Sequence, residues 1–275
     1  MSVKNILCSL LLLLSAVKLP AAAIICTTYP VWLLTRTVTE NVPGCSVDLL
    51  MPPGGGCAHS AAPRPGDLLK LQQEAVILVA NGLGVDDHLI ATALKINGRI
   101  KLIKAEVPAL DPHTFASPHT AKLMVQKIAG ELSLQLPEHQ QHFQNNLHKF
   151  LPQLEKLIQR VRQLPLQQKY VVLQHGVFRN LLNLSGGKEL LLKHENADLL
   201  PPGTLISLLQ KSRQLQAVAL WCDEAHDPAC KIFIQTEKLP VVELDMLVSG
   251  PAEPAGDHYI KVMNQNIDKL ESVMQ

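Results

Sequence analysis

The chain carries almost no net charge and lacks the short words that mark common enzymes. Lysine and arginine number 25 against 24 aspartates and glutamates, a formal balance of +1 over 275 residues, which leaves no electrostatic footprint for nucleic acid or an acidic membrane. There is no His-Glu-x-x-His, no Gly-x-Ser-x-Gly and no Walker loop, so the familiar zinc-protease, serine-hydrolase and nucleotide-binding motifs are missing. No repeat of short period and no low-complexity segment occurs. Beyond the first two dozen residues no apolar run reaches the ~20 residues that span a bilayer.

The beginning of the chain sets an expected compartment. Lys4 precedes an apolar block from Ile6 to Val17, and Leu19-Pro20-Ala21-Ala22-Ala23 then supplies small residues of the kind a signal peptidase accepts. The order of charge, apolar block and small residues predicts a cleaved export signal over residues 1–23 and a periplasmic protein. Ile25 is too large for the position before a lipid-bearing cysteine, so no anchor is expected at Cys26. About 250 residues remain, enough for one large domain or two modest lobes, and an apolar fraction of 47% supplies material for two cores. Of six cysteines, Cys8 leaves with the signal; Cys26, Cys45, Cys57, Cys222 and Cys230 stay. In an oxidising compartment some of these should pair. Cys222 and Cys230 close a short loop and are the expected disulfide, whereas Cys26, Cys45 and Cys57 cluster near the first two strands with no assigned pairing.

Three histidines and one aspartate recur a few residues beyond short apolar runs. His59 follows Val47-Asp48-Leu49-Leu50-Met51, His113 follows Ile100-Lys101-Leu102-Ile103, His175 follows Tyr170-Val171-Val172-Leu173, and Asp245 follows Val241-Val242-Glu243-Leu244. Such runs, separated by helical stretches, read as buried strands of parallel α/β sheets, and in those sheets ligands bind in the loops beyond the carboxyl ends of the strands. Three imidazoles and a carboxylate gathered there form a four-coordinate N/O site that suits Zn(II), with Mn(II) less favoured because its preference runs to oxygen. Four protein ligands close the site, as a carrier needs. A zinc hydrolase keeps one position open for water and needs a general base, for which only Glu224 and Glu195 offer themselves.

Other residues have plainer readings. Asp245 could cap the turn that follows it. Glu224 and His226 lie beyond the strand ending at Trp221 and are rival ligands or supports for the site, with surface solvation as their ordinary role. Cys57, two residues from His59, could offer a thiolate instead of a disulfide. His139, His142 and His148 fall on a solvated helical face, and His194-Glu195 on an exposed turn.

Strands are predicted at Ile24–Thr28, Val47–Met51, Ala75–Ala80, Gln216–Trp221 and around Tyr170 and Val241, with helices over Trp32–Asn41, Pro65–Gln73, Pro118–Leu134 and about Asp257–Met274. Pro52-Pro53-Gly54-Gly55-Gly56 can continue neither element and makes the loop that delivers His59. From Pro137 to Leu164, apolar residues at Phe143, Leu147, Phe150, Leu154, Leu157, Ile158 and Val161 step by three and four, which suits a helix lying across two lobes. Pro152 interrupts it: either the helix bends there, or two helices meet with Pro152 near the start of the second.

In order along the chain, Thr27-Thr28-Tyr29-Pro30, Met51-Pro52-Pro53-Gly54, Ala58-His59-Ser60, Pro63-Arg64-Pro65-Gly66-Asp67 and Ala80-Asn81-Gly82-Leu83-Gly84, followed by Asp111-Pro112-His113-Thr114-Phe115 and Glu243-Leu244-Asp245, resemble the cluster A-I solute-binding proteins, which deliver zinc or manganese to ABC transporters. The resemblance runs over nearly the whole mature chain. It implies an α/β fold of two lobes, each a mostly parallel sheet flanked by helices, with an N-terminal lobe over residues 24–136, a rigid linking helix over 137–165 and a C-terminal lobe over 166–275. The metal would lie in the interlobe cleft. It further implies a non-enzymatic, monomeric protein that hands its ion to a membrane permease driven by a cytoplasmic ATPase. The chain departs from the family where Ala61-Ala62 stands in place of an acidic residue, where Gln174-His175-Gly176-Val177-Phe178 replaces His-Asp-Ala-Phe, and where Lys104–Leu110 carries no histidine-rich collecting loop. A hydrolase, or a surface adhesin using the same fold and indifferent to chelator, are the competing classes.

Protons compete with the ion for imidazole. Affinity for Zn(II) is expected to fall as pH drops through the free histidine value of ~6.5, which titrations at about pH 7.5 and about pH 5.5 would measure.

Overall fold

Alternation along the first strand shows how the chain divides its apolar residues. In the computed structural model, which describes residues 22–51, 62–72, 76–192, 201–223 and 227–274, strand β1 (Ala22–Cys26) turns Ile24 and Cys26 to one face and Ile25 to the other. Both faces are buried, as expected of a parallel sheet covered on each side. The strand begins at Ala22, two residues before position 24, where the mature chain was expected to start. Helix α1 (Tyr29–Thr39), strand β2 (Cys45–Leu49), the single turn α2 (Pro65–Leu68), strand β3 (Val76–Ala80), helix α3 (Asp87–Ile96) and strand β4 (Lys101–Lys104) complete the first unit. All its strand pairs are parallel, in the order β2-β1-β3-β4.

Helix α4 (Pro118–Gln135) and the long helix α5 (Gln140–Gln163) then lead to a second unit. It comprises β5 (Tyr170–Leu173), α6 (Arg179–Leu184), β6 (Lys188–Leu191), α7 (Pro202–Gln214), β7 (Ala219–Cys222), α8 (Pro228–Glu237), β8 (Val241–Glu243) and α9 (His258–Met274). Its parallel sheet has the order β6-β5-β7-β8, the same path as the first. Sequence comparison within the chain gave no hint of this duplication of topology. No helix among the described residues is long and apolar enough to cross a membrane.

The two sheets do not own separate cores. Ile24 and Val79 of the first sheet and Val171, Leu173 and Trp221 of the second all belong to one buried cluster with α1, α4, α5 and α9. Two smaller clusters cover the outer faces, one around Leu78 and Leu89, the other around Leu220 and Phe233. The seven apolar residues of the α5 stripe are all buried, and all but Ile158 belong to the shared cluster. At ~1.5–3 kcal/mol for each fully buried large side chain, that stripe is a major part of what joins the halves. Polar contacts reinforce it. Arg160 on α5 reaches Glu271, Asp268 and Asn264 on α9, with its Nε to Glu271 at 3.0 Å, and the buried Tyr259 hydroxyl donates to the Phe115 carbonyl at 2.8 Å.

Pro152 neither splits nor ends α5, which runs unbroken past it. The residue lies on the exposed face, as does His148 one turn earlier, so the carbonyl that loses its amide partner can be hydrated. Two further expectations shift. The strand expected from Gln216 begins at Ala219, because Gln216 adopts a φ of 52° and its amide closes the end of α7 on the Arg213 carbonyl. Strand β6 was not anticipated, since only Leu190 of its four residues is buried and an edge strand of that length leaves no alternation to read. Replacing the exposed Pro152 by Ala should restore a helix hydrogen bond and raise stability by about 1–2 kcal/mol, after allowance for the looser unfolded chain; denaturant unfolding would measure it.

Candidate metal centre

In both sheets the strand order reverses at the middle pair, β1/β3 and β5/β7, and the crevice beyond such a reversal is where doubly wound sheets bind ligands. The loops of the first sheet are tied together by one buried carboxylate. Asp86 accepts from the Thr27 hydroxyl at 2.5 Å, from the Asn81 amide at 2.7 Å and from the Gly82 amide at 2.9 Å. Asn81 in turn donates through its side chain to the Pro112 carbonyl at 3.0 Å. The segment that carries His113 is thereby anchored to the ends of β1 and β3.

His113 is itself buried and oriented by Asp111. The Oδ1 of Asp111 accepts from the His113 backbone amide at 3.0 Å and lies 2.7 Å from its Nδ1, while the ring stands edge-on to Phe115. A carboxylate against Nδ1 orients the ring and favours the proton on that nitrogen, the pairing found behind metal-bound histidines. Asp111 also meets the second unit. Arg179 Nη1 lies 3.6 Å from its Oδ2, Asn180 Nδ2 donates to its carbonyl at 2.9 Å, and the Leu110 amide donates to Asn180 Oδ1 at 3.0 Å. Gly176, next to His175, packs so closely on Asp111 that a methyl group there would fall inside van der Waals contact of Oδ2. The loops bearing His113 and His175 are therefore brought against each other.

His175 follows β5 in extended conformation, with φ −149°. Its Nε2 lies 2.7 Å from Asp223 Oδ1. Asp223 follows directly on β7, and its amide donates to Gln174 Oε1 at 3.1 Å. Sequence reasoning missed this residue and considered its neighbours Glu224 and His226 instead; the available signal was its place directly after an inner strand. Asp245 follows β8 and is exposed. Its Oδ1 accepts the Leu247 amide at 2.7 Å in a tight turn that puts Leu247 at φ 60°, and Asn266 holds its backbone at both ends. Its charge is felt by Tyr29 of the first unit: burial raises that phenol above its ordinary value, Arg36 opposes the shift and Asp245 adds to it.

His59, Cys57, Glu224 and His226 lie outside the described residues. Among the described residues no three His, Cys, Asp or Glu side chains are grouped so as to hold a metal. The structure thus brings the loops of His113 and His175 together and His175 to Asp223, but does not draw His113, His175 and Asp245 into one cluster. The disulfide expected between Cys222 and Cys230 is not formed either. The two residues stand as thiols, one at the end of β7 and the other in the first turn of α8, and the Cys230 side chain hydrogen-bonds to Cys222, lowering the latter's pKa against the effect of burial. Burial pushes the Cys26 thiol up to about 12, which makes it inert at neutral pH.

Comparison with known proteins adds a family. The profile described as "Zinc-uptake complex component A periplasmic" matches residues 24–273. The chain belongs to this family. Its members are metal-binding substrate-binding proteins of ABC transporters; they work with a membrane permease and an ATPase, face the outside of the cell membrane and are not enzymes. Among relatives, the manganese ABC transporter substrate-binding lipoprotein PsaA of Streptococcus mitis is 23% identical over 262 residues, covering 85% of this chain and 84% of its own. A putative metal-binding protein of Thermotoga maritima is 28% identical over 274 residues, with coverage of 97% and 96%. Among solved structures, the substrate-binding protein FpvC from Pseudomonas aeruginosa in complex with Ni2+ superposes with a TM-score of 0.79 at 21% identity, covering 92% of this chain and 97% of that one. The last likeness shows a shared fold: two parallel sheets with a long helix between them.

Gly176→Ala tests the contact between the two loops. Displacing Asp111 should release the His113 ring and weaken metal affinity by about 10-fold or more, with folding retained, as isothermal titration and a thermal melt would record.

Proposed function

We propose that this protein captures Zn(II) outside the cytoplasm as cargo, with Mn(II) the less favoured ion, and releases it to the permease of its ABC transporter. His59, His113, His175 and Asp245 are the proposed ligands. The observation that carries this reading is His113, a buried imidazole held through Nδ1 by the Asp111 carboxylate, the support that metal-binding histidines carry. Three imidazole nitrogens favour zinc over manganese by ligand preference, and the family description names zinc, whereas the names of PsaA and FpvC carry manganese and nickel. Neutral imidazole and carboxylate bind Zn(II) at ~2.0–2.2 Å, so the loops of the two units must close on the ion for all four donors to reach it.

The remaining proposals follow from the export reading. Residues 1–23 act as a cleaved signal; the mature protein is a periplasmic monomer of two lobes, 24–136 and 166–275, joined across 137–165, and carries no lipid at Cys26.

The test is direct. Chelator-treated protein titrated with Zn(II) and with Mn(II) should bind one ion per chain, zinc more tightly, and both His59→Ala and His113→Ala should lose tight binding. Retention of tight stoichiometric binding by both variants would remove the assignment.

A further inference from the structure

Two aspartate–histidine contacts flank the cleft at the same distance, 2.7 Å, but they differ in kind. Between Asp111 and His113 the approach is a hydrogen bond. Between Asp223 and His175 it is not: Asp223 Oδ1 is shielded from water and accepts no hydrogen bond, although His175 Nε2 lies against it. A buried carboxylate oxygen without a donor is costly, and a neutral ring nitrogen 2.7 Å away does not remove that cost. A cation facing both atoms does. Nitrogen and oxygen donors that share an ion at 2.0–2.2 Å stand ~3 Å apart when the angle between them is near 90°, close to the spacing observed.

Position favours the same conclusion. His175 follows β5 and Asp223 follows β7, the two strands on either side of the order reversal in the second sheet. The carboxylate is also preset: its own amide donates to Gln174 Oε1, and the Gln174 amide donates to the Trp221 carbonyl at 2.9 Å. Gln174 is buried, so the bracket that spaces the two strand ends is rigid.

Resting on the metal-capture reading above, we infer that Asp223 is a further ligand of the cargo ion, an oxygen donor that shares the metal with His175 and determines which metals the protein holds. With it the proposed donor set becomes three imidazoles and two carboxylates. Five donors, two of them carboxylates, exceed what tetrahedral zinc requires and suit ions that prefer oxygen and higher coordination, Mn(II) foremost. Asp223 thereby broadens a site whose imidazoles alone select zinc.

The experiment uses the chelator-treated chain, its Asp223→Ala and Asp223→Asn variants, and His175→Ala as a reference. Each is titrated with Zn(II) and Mn(II), and each is loaded with Co(II), whose visible bands are weak at five coordination and strong at tetrahedral. Asp223→Ala should lower Mn(II) affinity by about 10-fold or more, lower Zn(II) affinity less, and strengthen the cobalt bands. Asp223→Asn, which keeps one weaker oxygen donor, should fall between, and thermal melts identify any variant that does not fold. If a folded Asp223→Ala keeps the parent's affinities and cobalt spectrum, or binds tighter, Asp223 is not a ligand while metal capture stands. If the parent chain binds neither metal, metal capture itself fails and this inference with it.

Discussion

The carboxylate of Asp111 sits where loops from both sheets meet, and the rest of the site is arranged around it. On one side it holds the imidazole and amide of His113; on the other it faces Arg179 and packs on Gly176. A buried charge of this kind persists only where donors surround it. The donors here come from both halves of the molecule, so satisfying Asp111 orients one histidine and also fixes the distance to the loop that carries the next. The backbone of Asp111 is held from the second unit as well, through Asn180.

Behind that contact lies a shared core. Period-two alternation places half of each inner strand against a common layer of helices, and α5, packed on α1, α4, α6 and α9, lies in the same buried cluster as both sheets. A joint built from continuous apolar packing resists large hinge motion more than a loop linker does. Together with the clamp of Arg160 on α9, it gives the two sets of loops a fixed base, and the adjustment needed to grip an ion then falls on the loops themselves. Asp245 illustrates this: its turn is strained at Leu247 and braced by Asn266, while its carboxylate points to an exposed position.

Much of the fold could be read from the chain because the relevant signals are local. The α5 stripe, the strands near Ile24, Val76, Tyr170 and Val241, and the loop positions of His113, His175 and Asp245 follow from apolar spacing and turn residues. What escaped has a physical cause in each instance. Strand β6 is a short edge with one buried side chain, Gln216 adopts a left-handed cap that no propensity reveals, and Pro152 is tolerated because its face of the helix is wet. Asp223 was passed over in favour of Glu224 and His226 because a shift of one residue at a strand end changes which side chain faces the crevice, and β7 was expected to begin three residues and end one residue too early.

The sequence by itself determined the class of the molecule: parallel strands with helices between them, imidazoles and a carboxylate placed after the strands, and a long amphipathic helix in the middle, all set by residue type and spacing along the chain. Only the tertiary structure decided that both sheets share one core, that Asp111 serves His113 while Asp223 crowds His175, and that Cys222 and Cys230 meet as thiols. Those outcomes depend on distances between residues far apart in sequence, which packing establishes and local pattern cannot encode.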